Sequence, residues 1–514
     1  MPQKAAEIAR QSLETGIRSN GDAAAHVNDV DTEVAQQNQL RGQQESLQEQ
    51  KPPVIDLVKG RYCDASGSCV FPLFVSQSLQ SQLSLRPHAY AWNINTRREP
   101  SPPPVPAIRR FLAYQEVVLY SQGFFETVAP SYRFVDEGSF YQQTLDYWTN
   151  ESPIDHSFEA MTSGILILGS LFSATAAMAE SQLVEHAKNI LDNSISRAPG
   201  RLSLDLACAW ILRTLYLRLT TRPSLAWFAS CTSVHVAESL GLHVDPERFQ
   251  SQPASAVGYR LQRTRHNVLI CAVFLNTLIS AEYGRSRVVL ELSRCSATSH
   301  DNSTLMALAT VLWKQPSADE DVKAALGSLM QLSTEVPHVN LLIVDVALSL
   351  YRKRIHQNGE QLSPAGSKTL LSLLDSGIKR TKEVATLQFP WWNVLSTPFQ
   401  TLLVLVHVNT TESLTLTKSA MAALDMVSTA FTSSSLVREA LLVARLIVGT
   451  LREKKLHQVD LLPAFDAAPR DPVLECWETT PNIDLTVSEL LSPDGWSNME
   501  LIPDTGLFTQ HDNL

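Results

Sequence analysis

Glycine is scarce in this chain, 20 residues in 514, and the dipeptides that close tight turns are few. That scarcity excludes a sandwich or barrel of short hairpin-linked strands and leaves helices to fill the long uninterrupted stretches. Charge is sparse as well, at 18% of residues against 44% hydrophobic. A chain of that balance is not wholly disordered and holds enough apolar material for a large core. Positive charge is the sign in deficit, with a formal net charge of −10. Proteins that grip DNA carry a basic stripe that displaces counterions from phosphates. Here Arg97-Arg98, Arg109-Arg110, Arg352-Lys353-Arg354 and Lys454-Lys455 are short and scattered, and each reads as a solvated helix face or loop.

Cysteine gives no framework. The seven thiols, Cys63, Cys69, Cys208, Cys231, Cys271, Cys295 and Cys476, are odd in number and widely spread. The opening MPQKAAEIARQSLE has no apolar signal region, so a reducing compartment is expected. Cys63 and Cys69 are close, but two thiols six positions apart make a poor zinc site and are expected to be free. One long uncharged run exists, Ala160 to Ala179, near the length of about 20 residues that a membrane span needs. Its second half is mostly Ala, Ser and Thr, which favours a buried helix over a span, and no membrane association is expected. Catalytic signatures are missing too: no G-x-S-x-G elbow, no H-E-x-x-H, no phosphate loop, no G-x-G-x-x-G. No catalytic, metal, DNA-binding or cofactor-binding residue is assigned, no cofactor is expected, and the chain does not read as an enzyme.

What the sequence does hold is order in four segments. Residues 1–52 are polar and Gln-rich, too poor in large apolar side chains to offset ordering entropy, and are expected to be disordered apart from a transient helix near Ala5–Leu13. Residues 53–108 combine an irregular segment with a proline-rich linker, EPSPPPVPAI. From 109 to 456 the pattern is helical. Leu269, Ile270, Val273, Phe274, Thr277, Leu278 and Ala281 share one helix face, as do Met421, Leu424, Val427 and Phe431, and Leu436, Ala440, Val443, Ala444 and Ile447. A helix through Leu240 is expected to stop on Gly241-Leu242, a left-handed cap with an apolar contact after it. Residues 457–514 mix eleven acids and a single Arg, Arg470, with Leu, Phe and Trp. That composition suits a disordered activation segment. The fold class is therefore all-α, a large multi-helix body between a disordered N-terminal segment and an acidic C-terminal tail.

Certain stretches resemble the fungal-specific transcription factor domain, the regulatory middle region of zinc-cluster activators. Tyr120 to Phe140 (YSQGFFETVAPSYRFVDEGSF) is similar to the family's opening, an aromatic helix, a Pro and a short acidic loop ending in Phe. Ser203 to Leu217, Thr220 to Trp227 and Ala237 to Pro246 are similar to its second block, which closes in Ser-Leu-Gly-Leu-His. A third element runs from Arg263 through Asn276, where the family often has an acid, to Gly284-Arg-Ser-Arg287. Pro390 to Phe399 and Ala420 to Leu424 also look like related regulators, and the resemblance spans about 110–455.

The resemblance implies a nuclear regulator of transcription with pathway-specific control of metabolism. The family's DNA-binding module needs six clustered cysteines, and these residues hold no such set. Action through other transcription factors or coactivators is therefore expected, in a homodimer or heterodimer, with DNA reached indirectly or through a module that an upstream exon would supply. The alternative is a helical scaffold or ligand sensor outside transcription. Around the motifs, His243 is expected to complement the end of its helix, Trp227 and Phe228 to lie in the core, and Arg285 and Arg287 to form loop ion pairs.

Overall fold

Two of the longest helices begin on proline, where the missing N–H has no helical partner to lose. Pro337 opens one that runs to Asn358 and ends on left-handed Gly359 (φ 65°); Pro364 opens the next, with the Ser363 side chain accepting from Gly366 N–H at 3.3 Å. The computed structural model describes residues 54–56, 61–64, 67–68, 70–79, 100 and most of 103–462. Within that last range it omits 150–154, 174–178, 197–201, 221–222, 245–255, 291–301 and a few single positions.

The described chain opens with a two-stranded antiparallel hairpin, β1 (Val54–Asp56) and β2 (Arg61–Cys63), with Ile55 opposite Tyr62. Helix α1 is Phe71–Ser78, and a turn of 3-10 helix covers Ile108–Arg110. The body continues as α2 (Tyr114–Thr127), α3 (Glu137–Thr149), α4 (His156–Phe172), α5 (Glu180–Ser196), α6 (Leu204–Thr220), α7 (Pro223–Ser239), α8 (Ala256–Tyr283) and α9 (Ser303–Lys314). Its second half comprises α10 (Asp319–Gln331), α11 (Pro337–Asn358), α12 (Pro364–Thr386), α13 (Trp392–Val408), α14 (Thr411–Ala430) and α15 (Ser435–Asp460). The fold is all-α, as expected. The hairpin and α1 fall in a stretch read as irregular, because three-residue strands are too short to show a period.

Neighbouring helices pack largely in chain order: α4 on α2, α5 and α6, then α6 on α7, α7 on α8 and α8 on α9. In the second half α12 lies against α10, α11, α13 and α14. One continuous apolar cluster runs through both halves, from Ile108 to Ala444. Among its fully buried members are Phe124, Tyr132, Phe134, Phe140 and Phe274. Burying a side chain of this size stabilises by roughly 1.5–3 kcal/mol.

Helix α4 sits at the centre of the first half, where α2 crosses it backbone to backbone. A Cβ on Gly169 would overlap the Tyr120 carbonyl oxygen, and one on Gly123 would lie 2.8 Å from the Gly169 carbonyl oxygen. Only glycine at both positions permits that approach. The uncharged run read at 160–179 is largely buried from Ala160 to Phe172 but is not one helix: α4 stops at Phe172, and residues 174–178 lie outside the described residues. Ser173 is extended there, and its hydroxyl donates back to the Gly169 carbonyl at 2.7 Å. Among the described residues no helix is long and apolar enough to cross a membrane.

Helix α15 corrects part of the expected face, of which Ala444 is buried as read. Val437, Leu441 and Ala444 are its buried stripe, whereas Leu436 is 59% exposed. The chain divides into two compact units, Met1–Leu451 and Arg452–Leu514, and the boundary falls within α15. The expected disordered segment 1–52 lies outside the described residues, as does the acidic tail beyond residue 462.

Candidate functional site

Two of the family-like stretches, Tyr120 to Phe140 and Pro390 to Phe399, meet in the core, where Tyr132 lies 6.1 Å from Trp391. Tyr132, from the loop after α2, and His338, at the start of α11, are both buried. The His338 ring stacks on Trp391 with centroids 3.7 Å apart and planes 9° apart. Its Nδ1–H donates to Asn393 Oδ1 at 3.1 Å, which leaves Nε2 to accept from the Tyr132 hydroxyl at 3.3 Å. Burial drives the His338 pKa down to about 3, so the ring is neutral.

A second buried polar cluster holds the chain entering the body. Glu159 on α4 is fully buried; its Oε1 accepts from the Ile108 backbone N–H at 3.0 Å and from the Tyr147 hydroxyl. Its Oε2 lies 3.2 Å from His156 Nδ1 and 3.7 Å from His186 Nε2. Burial lowers the His186 pKa, with the Glu159 charge opposing.

The two glycine-closed blocks form matching turns. At Gly241 (φ 66°) the Leu242 N–H reaches the Ala237 carbonyl at 3.1 Å and the Gly241 N–H reaches Glu238 at 2.8 Å, the cap its sequence predicted. His243 packs edge-on against Tyr62 of β2, centroids 4.9 Å apart, so it meets the hairpin as well as the helix end. At Gly284 (φ 62°) the Arg285 N–H reaches the Ser280 carbonyl at 2.9 Å and the Gly284 N–H reaches Ala281 at 3.4 Å. Asn276 fastens the strand-like segment after this turn: its Oδ1 accepts from Val288 N–H at 2.8 Å, while its Nδ2 donates to Ser230 Oγ at 3.0 Å.

Two expectations change here. Phe228 is 60% exposed and Trp227 half-buried, because the face of α7 that carries Phe228 turns outward. Arg285 and Arg287 lie on aromatic rings instead of pairing with acids. Arg285 sits 4.9 Å from the Trp227 centroid and 5.1 Å from Tyr283, and Arg287 sits 5.3 Å from Trp313. Cys63, Cys208, Cys231 and Cys271 form no disulfide; burial pushes the thiols of Cys208, Cys231 and Cys271 up, and Cys69 lies outside the described residues.

Two adjoining cavities meet along α11, the larger between α6, α8, α11 and α13 and the smaller between α8, α9 and α11. The larger, about 800 Å³, has Ile355, Leu403 and Val404 among its apolar lining. Two buried polar atoms in that wall, the Tyr351 hydroxyl and Gln400 Oε1, have no hydrogen-bond partner. Arg218 lies along one side, its guanidinium donating to both Glu282 oxygens at 3.0 and 3.2 Å and resting 4.7 Å above the Trp392 ring. The smaller cavity, about 490 Å³, shares Arg352 and His356 with the first and adds Arg285, Arg287 and Lys353, with no carboxylate in its lining. Sequence reading missed both, since the wall of the larger draws on positions from 218 to 407 and that of the smaller on positions from 277 to 357.

The profile of the fungal specific transcription factor domain matches residues 122–389, more than half of the chain. The chain belongs to this family. Protein RDR1 of Saccharomyces cerevisiae is 29% identical over 463 residues, covering 87% of this chain and 82% of that protein. Transcription factor kojR of Aspergillus oryzae is 26% identical over 429 residues, covering 81% and 76%. A probable transcriptional repressor of Schizosaccharomyces pombe, C1348.12, is 33% identical over 120 residues, 23% of this chain and 27% of that one. As a member of the fungal-specific family, this protein is a regulator of transcription. Its first two family motifs anchor the core through Tyr132 and through the Gly241 cap. Among the described residues no three His, Cys, Asp or Glu side chains are grouped to hold a metal ion.

Proposed function

We propose that this chain controls transcription of a metabolic pathway in the nucleus and does so through protein partners, without catalysing a reaction. The observation that carries the reading is the family match over the helical body, joined to the acidic, apolar-studded sequence of 457–514. In this reading 109–456 is the regulatory body and the tail is the activation segment, exposing residues such as Trp496, Leu501, Ile502 and Phe508 to an apolar groove on a coactivator. DNA is contacted by a partner, or by a module outside this stretch of chain.

The test is a fusion of the full chain to an unrelated DNA-binding domain, with a reporter carrying that domain's sites. Output is expected to move several-fold from that of the bare domain, and deletion of 458–514 should remove activation. A folded fusion that leaves the reporter unchanged in both directions overturns the reading and returns the chain to a scaffold outside transcription.

A further inference from the structure

We propose that the two adjoining cavities form one effector site for a small amphipathic anion, an organic carboxylate or phosphate ester with an apolar body. The apolar part belongs in the larger space, whose volume of about 800 Å³ suits a drug-sized molecule. Tyr351 is 4% exposed and its hydroxyl has no partner, nor has Gln400 Oε1. A buried polar atom left unmatched costs roughly 1–3 kcal/mol, and a ligand hydroxyl or amide would match both, accepting a hydrogen bond from the Tyr351 hydroxyl and donating one to Gln400 Oε1.

The anionic part belongs at the junction. Arg352 and His356 face both spaces, and Arg285, Arg287 and Lys353 extend the positive field into the smaller one, whose lining has no carboxylate; Glu282, in the lining of the larger, is paired with Arg218. Arg285 and Arg287 reach this space from seats over the Trp227, Tyr283 and Trp313 rings, which leave their positive charge without a carboxylate partner. Burial lowers the pKa values of Arg287 and Lys353, the signature of desolvated cations that a bound anion would stabilise.

Anilinonaphthalene sulfonate, an apolar bicycle with one fixed negative charge, is the probe. Titrated into the full chain and followed by its fluorescence, it should bind saturably at one site. The uncharged anilinonaphthalene should bind at least tenfold more weakly. Arg352→Glu reverses an exposed charge, and Leu403→Trp fills the apolar space from a half-buried position; each should weaken the sulfonate at least tenfold while retaining the wild-type melting temperature. If Leu403→Trp fails to fold, Arg352→Glu and the uncharged analogue decide alone. Competition by citrate or by a phosphate monoester of an aromatic alcohol then separates carboxylate from phosphate as the natural head group. Equal binding of the charged and uncharged probes, unchanged binding by the Arg352→Glu protein, or no saturation overturns the proposal.

Discussion

The Tyr132 hydroxyl donates to His338 across 206 positions of sequence, and that bond closes a buried layer in which His338 lies flat on Trp391. Tyr132→Phe removes the donor and leaves Nε2 buried without a partner, which should cost about 1–3 kcal/mol in urea unfolding. The same ring makes stability depend on pH. Its folded pKa, about 3, lies below the ordinary histidine value of 6.5, so the unfolded chain binds the extra proton between those values. Stability contributed by the neutral ring is full above about pH 6.5 and is lost as the pH falls toward 3. A His338→Gln protein should show a shallower loss over that window.

Asp345, seven residues further along α11, works in the opposite direction. Burial first, and then the Glu282 charge, raise its pKa to about 7; Thr397 donates to Oδ1 at 2.8 Å, while Oδ2 has no partner. The folded state therefore holds a proton that the unfolded state has released above about pH 4. This contribution is complete at acid pH and is lost as the pH rises through 7. Asp345→Asn should raise the melting temperature at pH 8, less so at pH 5, and have little effect at pH 4.

Gly169→Ala should be the most damaging single methyl in the first half of the body. Its Cβ would overlap the Tyr120 backbone carbonyl, which has no rotamer with which to move aside. The α2–α4 crossing must open, at a cost of about 3 kcal/mol or more. Gly327→Ala, where a Cβ meets nothing within 4 Å, is the control and should leave the denaturation midpoint unchanged or slightly raised.

Glu159→Ala removes the acceptor that holds Ile108 and Tyr147, leaving two buried donors unpaired, for an expected loss of about 3 kcal/mol. Its second effect is local. Arg109, whose guanidinium lies 5.2 Å from the Tyr147 centroid, loses its seat. Trypsin should then cut after Arg109 or Arg110 well before the body is digested. Equal rates of cleavage in the variant and the wild type would show that Glu159 does not fasten this segment.

The sequence displayed whatever depends on neighbours a few positions apart. The Gly241 cap needs only its own helix end, and the apolar face from Leu269 to Leu278 repeats within one helix; both formed as read. Leu436 shows the limit. Periodicity places residues on a face, but tertiary packing kept Ala444 of that face and buried Val437 and Leu441 beside it. Trp391 and Asn393 were visible as a motif, yet nothing local announces a histidine more than fifty positions upstream as their partner. Glu159, the one charge leading into a long uncharged run, carried a signal in hindsight: a lone acid in such a setting must find donors or pay for its burial.

Arg218 belongs to two structures at once, bordering the large cavity through its pair with Glu282 and covering Trp392, whose ring in turn meets His338 edge-on at 5.6 Å. The protein thereby has a native optical gauge. Any occupant that draws the guanidinium toward itself strips a positive charge from the face of an indole and changes the field its excited state experiences. The emission of Trp392 would then register events in the cavity without any added label, and the mechanical path from that cavity to the aromatic layer is one side chain long.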